Sequence, residues 1–190
     1  MAERLVAFAD ESVRATANPP MYLVTATILP DGADLSPLEA ILPHGASKLH
    51  WRDLGRRSQR EALTRIEELG SRSTIVVASP IDPKKQERAR RKDLETLAPL
   101  LEAEGVTRLV MESRFPAANE RDATHFRAML RRGYISSIEL HFADPATEHR
   151  LWVPDQILGA WGEETTCGPT PWRHEWEALR DSVTVVNVPL

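Results

Sequence analysis

The chain is expected to fold as an α/β domain, a mixed sheet flanked by helices with a C-terminal extension. Two apolar runs near the start are separated by only a short Pro-containing turn, which suits an antiparallel strand pair. Beyond residue 58, helical and strand-like patterns alternate, as in sheets covered by helices. After Thr165 the pattern breaks and a final β-branched run follows.

Arg4 to Asp10 (RLVAFAD) is a short apolar run closed by an acid, and Met21 to Leu29 (MYLVTATIL) is a second. Asn18, Pro19 and Pro20 between them suit a turn, so the two are paired as a hairpin. A third, weaker strand is placed at Leu38 to Leu42 or at Ser47 to Trp51. Ser58 and Glu61 have capping-box spacing, and Ala62, Ile66 and Leu69 recur at helical intervals before Gly70. Ser73 to Ser79 (STIVVAS) is β-branched and stops at Pro80, as a central strand does. A second helix is expected over 84–104, with Leu94, Leu97 and Leu101 on one face and Gly105 as its stop.

Thr107 to Met111 reads as a buried strand ending at Glu112, and residues 120–132 as a helix with Phe126, Met129 and Leu130 inward. Tyr134 to Phe142 alternates in part like a strand. Pro154 suits the first turn of a helix that carries Asp155, Ile157, Leu158 and Trp161. The domain is therefore drawn as residues 1–164, with 165–190 as an extension packing on the domain or on a partner. In that extension Trp172 and Trp176 are spaced to form one apolar ridge, which makes a homodimer through this segment conceivable.

Composition narrows the function. A net charge of −4 argues against a chain that coats nucleic acid by charge alone, so local distribution matters more than the total. No apolar stretch approaches the roughly 20 residues that span a bilayer, and the N-terminus has no secretory pattern, so a cytoplasmic protein without membrane partners is expected. The single cysteine, Cys167, has no partner for a disulfide or a thiolate metal site. There is no Gly-rich phosphate loop, zinc-ligand spacing or nucleophile triad, which removes P-loop hydrolysis.

Three acids end or begin apolar elements: Asp10, Glu112 and Asp155. A carboxylate is costly to bury alone, so such acids are hydrogen-bonded, exposed or holding a cation. Hard oxygen donors suit Mg²⁺ or Mn²⁺, which retain positions for water and phosphate. Against this stand simpler roles: a turn at Asp10, an ion pair from Glu112 to Arg114, and a first-turn acid on the helix dipole at Asp155.

FADES at 8–12, MESR at 111–114 and VPDQILGAW at 153–161 together resemble an uncharacterised bacterial family that carries a domain-of-unknown-function label. That family opens with a strand ending in Asp-Glu-Ser, closes with a helix bearing Asp and a Gly-Ala pair, and is regarded as ribonuclease H-like. The resemblance spans most of residues 4–164. It implies a ribonuclease H-like fold and a metal-binding nuclease centre at Asp10, Glu112 and Asp155, with Glu11 and Asp122 as supplementary ligands. The implied cofactor is Mg²⁺ or Mn²⁺ and the implied reaction is hydrolysis of phosphodiester bonds in DNA or RNA. A non-catalytic interaction or nucleic-acid-binding protein on the same fold is the alternative.

His50, in KLHW, is a candidate general acid or base, or equally a histidine satisfied within a loop. Two basic runs could engage a phosphate backbone: Arg56 and Arg57 at the first helix, and Lys84, Lys85, Arg88 and Arg91 at the second. Arg114 is a further candidate for contact with nucleic acid or for orienting the acids.

Overall fold

The computed structural model describes residues 5–30 and 32–189. Arg4, where the first strand was expected to begin, lies outside the described residues. Six strands form one sheet in the order β5-β4-β1-β2-β3-β6: β1 (Leu5–Arg14), β2 (Met21–Ile28), β3 (Arg72–Ala78), β4 (Val106–Glu112), β5 (Glu139–Ala143) and β6 (Val183–Val188). β2 is antiparallel to both β1 and β3, whereas the β1–β4, β4–β5 and β3–β6 pairs are parallel. A β1–β2–β3 meander followed by two parallel strands reached through helices gives the mixed α/β sheet flanked by helices that the sequence predicts.

The helices are α1 (Ser36–Glu39), α2 (Arg56–Glu68), α3 (Gln86–Ala103), α4 (Pro116–Arg131), α5 (Trp152–Cys167) and α6 (Arg173–Leu179). Side chains on a strand alternate between faces, so each strand feeds two cores. Phe8, Leu23, Ile75 and Val110 meet Leu63 and Ile66 of α2 and Trp152 and Ile157 of α5. Ala7, Val24, Val76 and Met111 meet Leu94 and Leu97 of α3 and Phe126 and Met129 of α4 on the opposite face. Each large apolar side chain buried in this way contributes roughly 1.5–3 kcal/mol. β2, buried at every position, is the centre of the stack.

Several boundaries differ from expectation. No strand forms at 38–42 or 47–51: Ser36–Glu39, with Pro37 in its first turn, is the short α1, and Trp51–Asp53 is a 3-10 turn. Both edges of β2 are already taken by β1 and β3, so no ladder position remains there for such a strand. α2 starts after Gly55, which leaves Ser58 inside the first turn with no capping bond. α4 begins at Pro116, whose fixed φ suits a first helical position. β5 begins only at Glu139 because residues 136–138 form a turn whose backbone N–H groups all donate to the Glu102 carboxylate. α5 continues past residue 164, and the extension then adds α6 and β6 to the domain itself. Trp172 and Trp176 are buried in the core, with Trp172 edge-on to Trp51 at 5.0 Å. The ridge expected to bury against the domain or a partner is thus spent on the domain.

Asp93 of α3 is fully buried, and neither carboxyl oxygen completes a hydrogen bond. Burial pushes its pKa up to about 8, only partly offset by the nearby Ala78 amide. A raised folded-state value means that the stabilising neutral form is present in full below the unfolded value of about 3.9 and is lost as pH climbs through about 8. Stability is therefore expected to fall by about 1.4 kcal/mol per pH unit within that window, and Asp93→Asn to flatten the slope. Urea denaturation of both proteins at several pH values checks this; parallel profiles would show that Asp93 is solvated.

Candidate active site

Asp10 sits one residue beyond Ala9, where the β1–β4 ladder ends, although β1 itself runs on to Arg14 beside β2. It is thus not the strand-terminal residue expected; it stands where β4 stops flanking β1. Alternation turns it toward the α5 face, as it does Glu112 at the end of β4. Asp155 lies in the first turn of α5. Asp10 and Asp155 share a hydrogen bond, and both Asp155 and Glu112 act on Asp10 electrostatically. Burial, then the charges of Asp155 and Glu112, hold the Asp10 carboxyl well above the usual carboxylate range, with Lys48 working in the opposite sense.

The segment carrying KLHW supplies the rest of the cluster. Lys48 Nζ donates to Glu112 Oε1 at 2.9 Å. Partial burial works against the ammonium, but the hydrogen bond to Glu112 and the charges of Glu112, Asp10 and Asp155 raise the Lys48 pKa overall. His50 Nδ1 is 2.7 Å from Asp155 Oδ1, while the Trp51 backbone N–H donates to Oδ2 at 2.7 Å. If Nδ1 donates to the carboxylate, Nε2 is left as the ring atom able to accept a proton. The ion pair to Arg114, the simpler alternative for Glu112, does not form; its partner is Lys48.

This loop is locked onto α5 by a close approach. A Cβ at Gly159 would fall 2.1 Å from Trp51 Cγ, so only glycine lets the indole lie on the helix. Trp51 Nε1 donates to Glu163 Oε1, and Gln156 Nε2 donates to the Leu49 carbonyl. Glycine at 159 therefore positions Lys48 and His50 from a distance.

Glu11 and Asp122 do not join the cluster. Neighbouring strand residues face opposite ways, so Glu11 turns toward α3, where it is held by Arg90 and by the Tyr22 hydroxyl. Asp122 is buried, with Arg90 Nη2 at 2.8 Å and Arg114 Nη2 at 2.9 Å. Their negative charge is already compensated by guanidinium groups, which corrects the expectation of supplementary metal ligands. Arg114 is likewise engaged, bonding Glu87 as well as Asp122. Among the described residues no three His, Cys, Asp or Glu side chains stand as a ready-made metal-holding group. Asp10 is bonded to Asp155, and Glu112 is turned onto Lys48.

The basic runs separate across the sheet. Arg56 and Arg57 are exposed at the start of α2, whereas Lys84 and Lys85 are exposed just before α3. Arg88 and Arg91 line a groove between α3 and α4 of about 940 Å³. A smaller hollow of about 180 Å³, lined by Asp10, Glu11, Glu112, Arg90 and Arg114, lies at the β1–β4 edge. No helix among the described residues is long and apolar enough to cross a membrane.

No protein-family model matches the chain, and no curated protein matches it. Among solved structures the chain is similar to one from a PCNA:RNase HII complex of Archaeoglobus fulgidus. The two are 14% identical, with a TM-score of 0.49 over 93% of this chain and 87% of that one.

Proposed function

We propose that the protein is a divalent-metal-dependent nuclease that hydrolyses phosphodiester bonds of DNA or RNA. The observation that carries this reading is Asp10: a carboxyl raised by burial, with Asp155 and Glu112 brought beside it from distant parts of the chain. Like charges gathered at one sheet edge are unfavourable unless a cation belongs there. Three carboxylates form a hard donor set that fits Mg²⁺ or Mn²⁺, with Asp10, Asp155 and Glu112 as the residues that would hold it. Bound there, such an ion would supply charge stabilisation at the phosphodiester and lower the pKa of an attacking water.

The chain's own groups do the remaining work. Asp155 fixes the His50 ring through Nδ1, leaving Nε2 to take a proton from water or return one to the leaving oxygen. Lys48, two residues from His50 and bonded to Glu112, places an ammonium where a phosphate oxygen could replace its carboxylate partner. A second reading, a nucleic-acid-binding protein without catalysis, draws on the same Lys48–Glu112 pair, since an ammonium can satisfy the acid by itself.

A panel of labelled single-stranded, double-stranded, hybrid and branched substrates with Mg²⁺ or Mn²⁺ separates the two. Cutting that needs the divalent ion and disappears in chelator is expected for at least one substrate. Binding without cutting across the whole panel would replace the nuclease by the binding protein.

A further inference from the structure

The α3–α4 groove has acids that are paired and arginines that are not. Its acids are already engaged: Glu87 by Arg114 and Arg121, Glu95 by Lys92 and His125, and Glu120 by Arg127. Arg88, Arg91 and Arg132 line the same groove, and none of their guanidinium groups makes an ion pair or hydrogen bond with any described residue. Three unpaired guanidinium groups in one concave surface form a site for a multiply charged anion.

Next to the groove residue Arg121 stands an exposed aromatic. Phe115 is 62% exposed, and the groove residue Arg121 lies over its ring at 5.5 Å from the centroid. A large apolar ring in water, backed by a guanidinium, is a platform on which a flat base can stack. Phe115 also follows Arg114, which bonds the groove residues Glu87 and Asp122 while lining the hollow that contains Asp10 and Glu112. Arg114 therefore joins the groove to the acids.

We infer that the α3–α4 groove binds single-stranded nucleic acid, with Arg88, Arg91 and Arg132 on the phosphates and Phe115 stacked on a base, and directs the strand toward Asp10 and Glu112. A duplex has its base faces stacked on one another and offers none to Phe115, which is why the occupant is a single strand. The direction toward the acids rests on the nuclease reading; the binding does not.

The test is fluorescence anisotropy of the full chain in chelator, with a short labelled oligothymidylate, its RNA counterpart and a matched duplex. Circular dichroism confirms that each variant is folded. Single strands are expected to bind more tightly than the duplex. Arg88→Glu with Arg91→Glu should weaken that binding at least about tenfold and reduce its salt dependence by roughly 0.7 in log–log slope per contact removed. Phe115→Ala should cost about tenfold through lost stacking, while Arg65→Gln, on α2 across the sheet and paired there with Glu61 and Glu68, should leave the affinity unchanged. Equal affinity for duplex, indifference to the groove substitutions, or equal competition by polyglutamate would each overturn the inference. If the groove variants lose binding but no substrate is ever cut, the groove stands and the nuclease reading fails; if cutting is metal-dependent and the groove variants bind normally, the reverse holds.

Discussion

Asp10→Asn is expected to abolish metal-dependent cleavage and, in the same protein, to raise stability. Asparagine has the shape of aspartate and can still donate a hydrogen bond to Asp155, so the local packing survives. What disappears is an ionisable carboxyl that burial and two neighbouring acids disfavour. Removing it at neutral pH relieves an electrostatic cost, with an expected gain on the order of 1 kcal/mol. The same change removes an anionic oxygen from the cation's donor set, with a loss of cleavage of roughly 10²–10⁴-fold. Thermal midpoints and single-turnover rates measured side by side decide the matter. A variant that is both less stable and fully active would mean that Asp10 is an ordinary structural acid.

Arg90→Met should destabilise the fold by about 3–5 kcal/mol, the usual consequence of removing one member of a buried ion network. Arg90 is 1% exposed, and its guanidinium serves Asp122, Tyr22 and Glu11 at once. Methionine keeps much of the stem's packing but leaves Asp122 buried with Arg114 as its remaining partner. For a chain of this size that corresponds to a fall in midpoint of roughly 10 °C. Adding Asp122→Leu to the same protein should recover a large part of the loss, since the orphaned charge is then gone. A shift of less than about 1 kcal/mol in the single variant would show the network to be solvated.

The order of elements was legible because the core strands are apolar and β-branched and the helices are periodic. β3, with STIVVA, and α3, with Leu94, Leu97 and Leu101 on one side, are the clearest cases. The meeting of Asp10, Glu112 and Asp155 was legible for a related reason: each acid interrupts or borders an apolar element, and parallel neighbours put such positions at one edge. Alternation along β1 turns Glu11 to the other face from Asp10, but its engagement by Arg90 and Tyr22 is a tertiary arrangement that the sequence does not show. Lys48 gave no comparable signal. It lies in an irregular loop whose path is set by Trp51 against Gly159, a tertiary contact with no local periodicity. The start of α2 failed similarly, because Ser58 and Glu61 match a capping motif that the preceding Gly55 displaces.

β6 lies parallel against β3, a strand made long before it, and the two pair from Ser73–Val183 to Ala78–Val188. While the chain is being synthesised, β3 must therefore wait with one row of backbone donors and acceptors unpaired. That row belongs to an uncharged, β-branched segment, the kind that recruits a strand from another molecule. Residues 183–188 thus act in biogenesis as a shield against self-association, and a nascent chain stalled before them would present a sticky border to its neighbours on the same message.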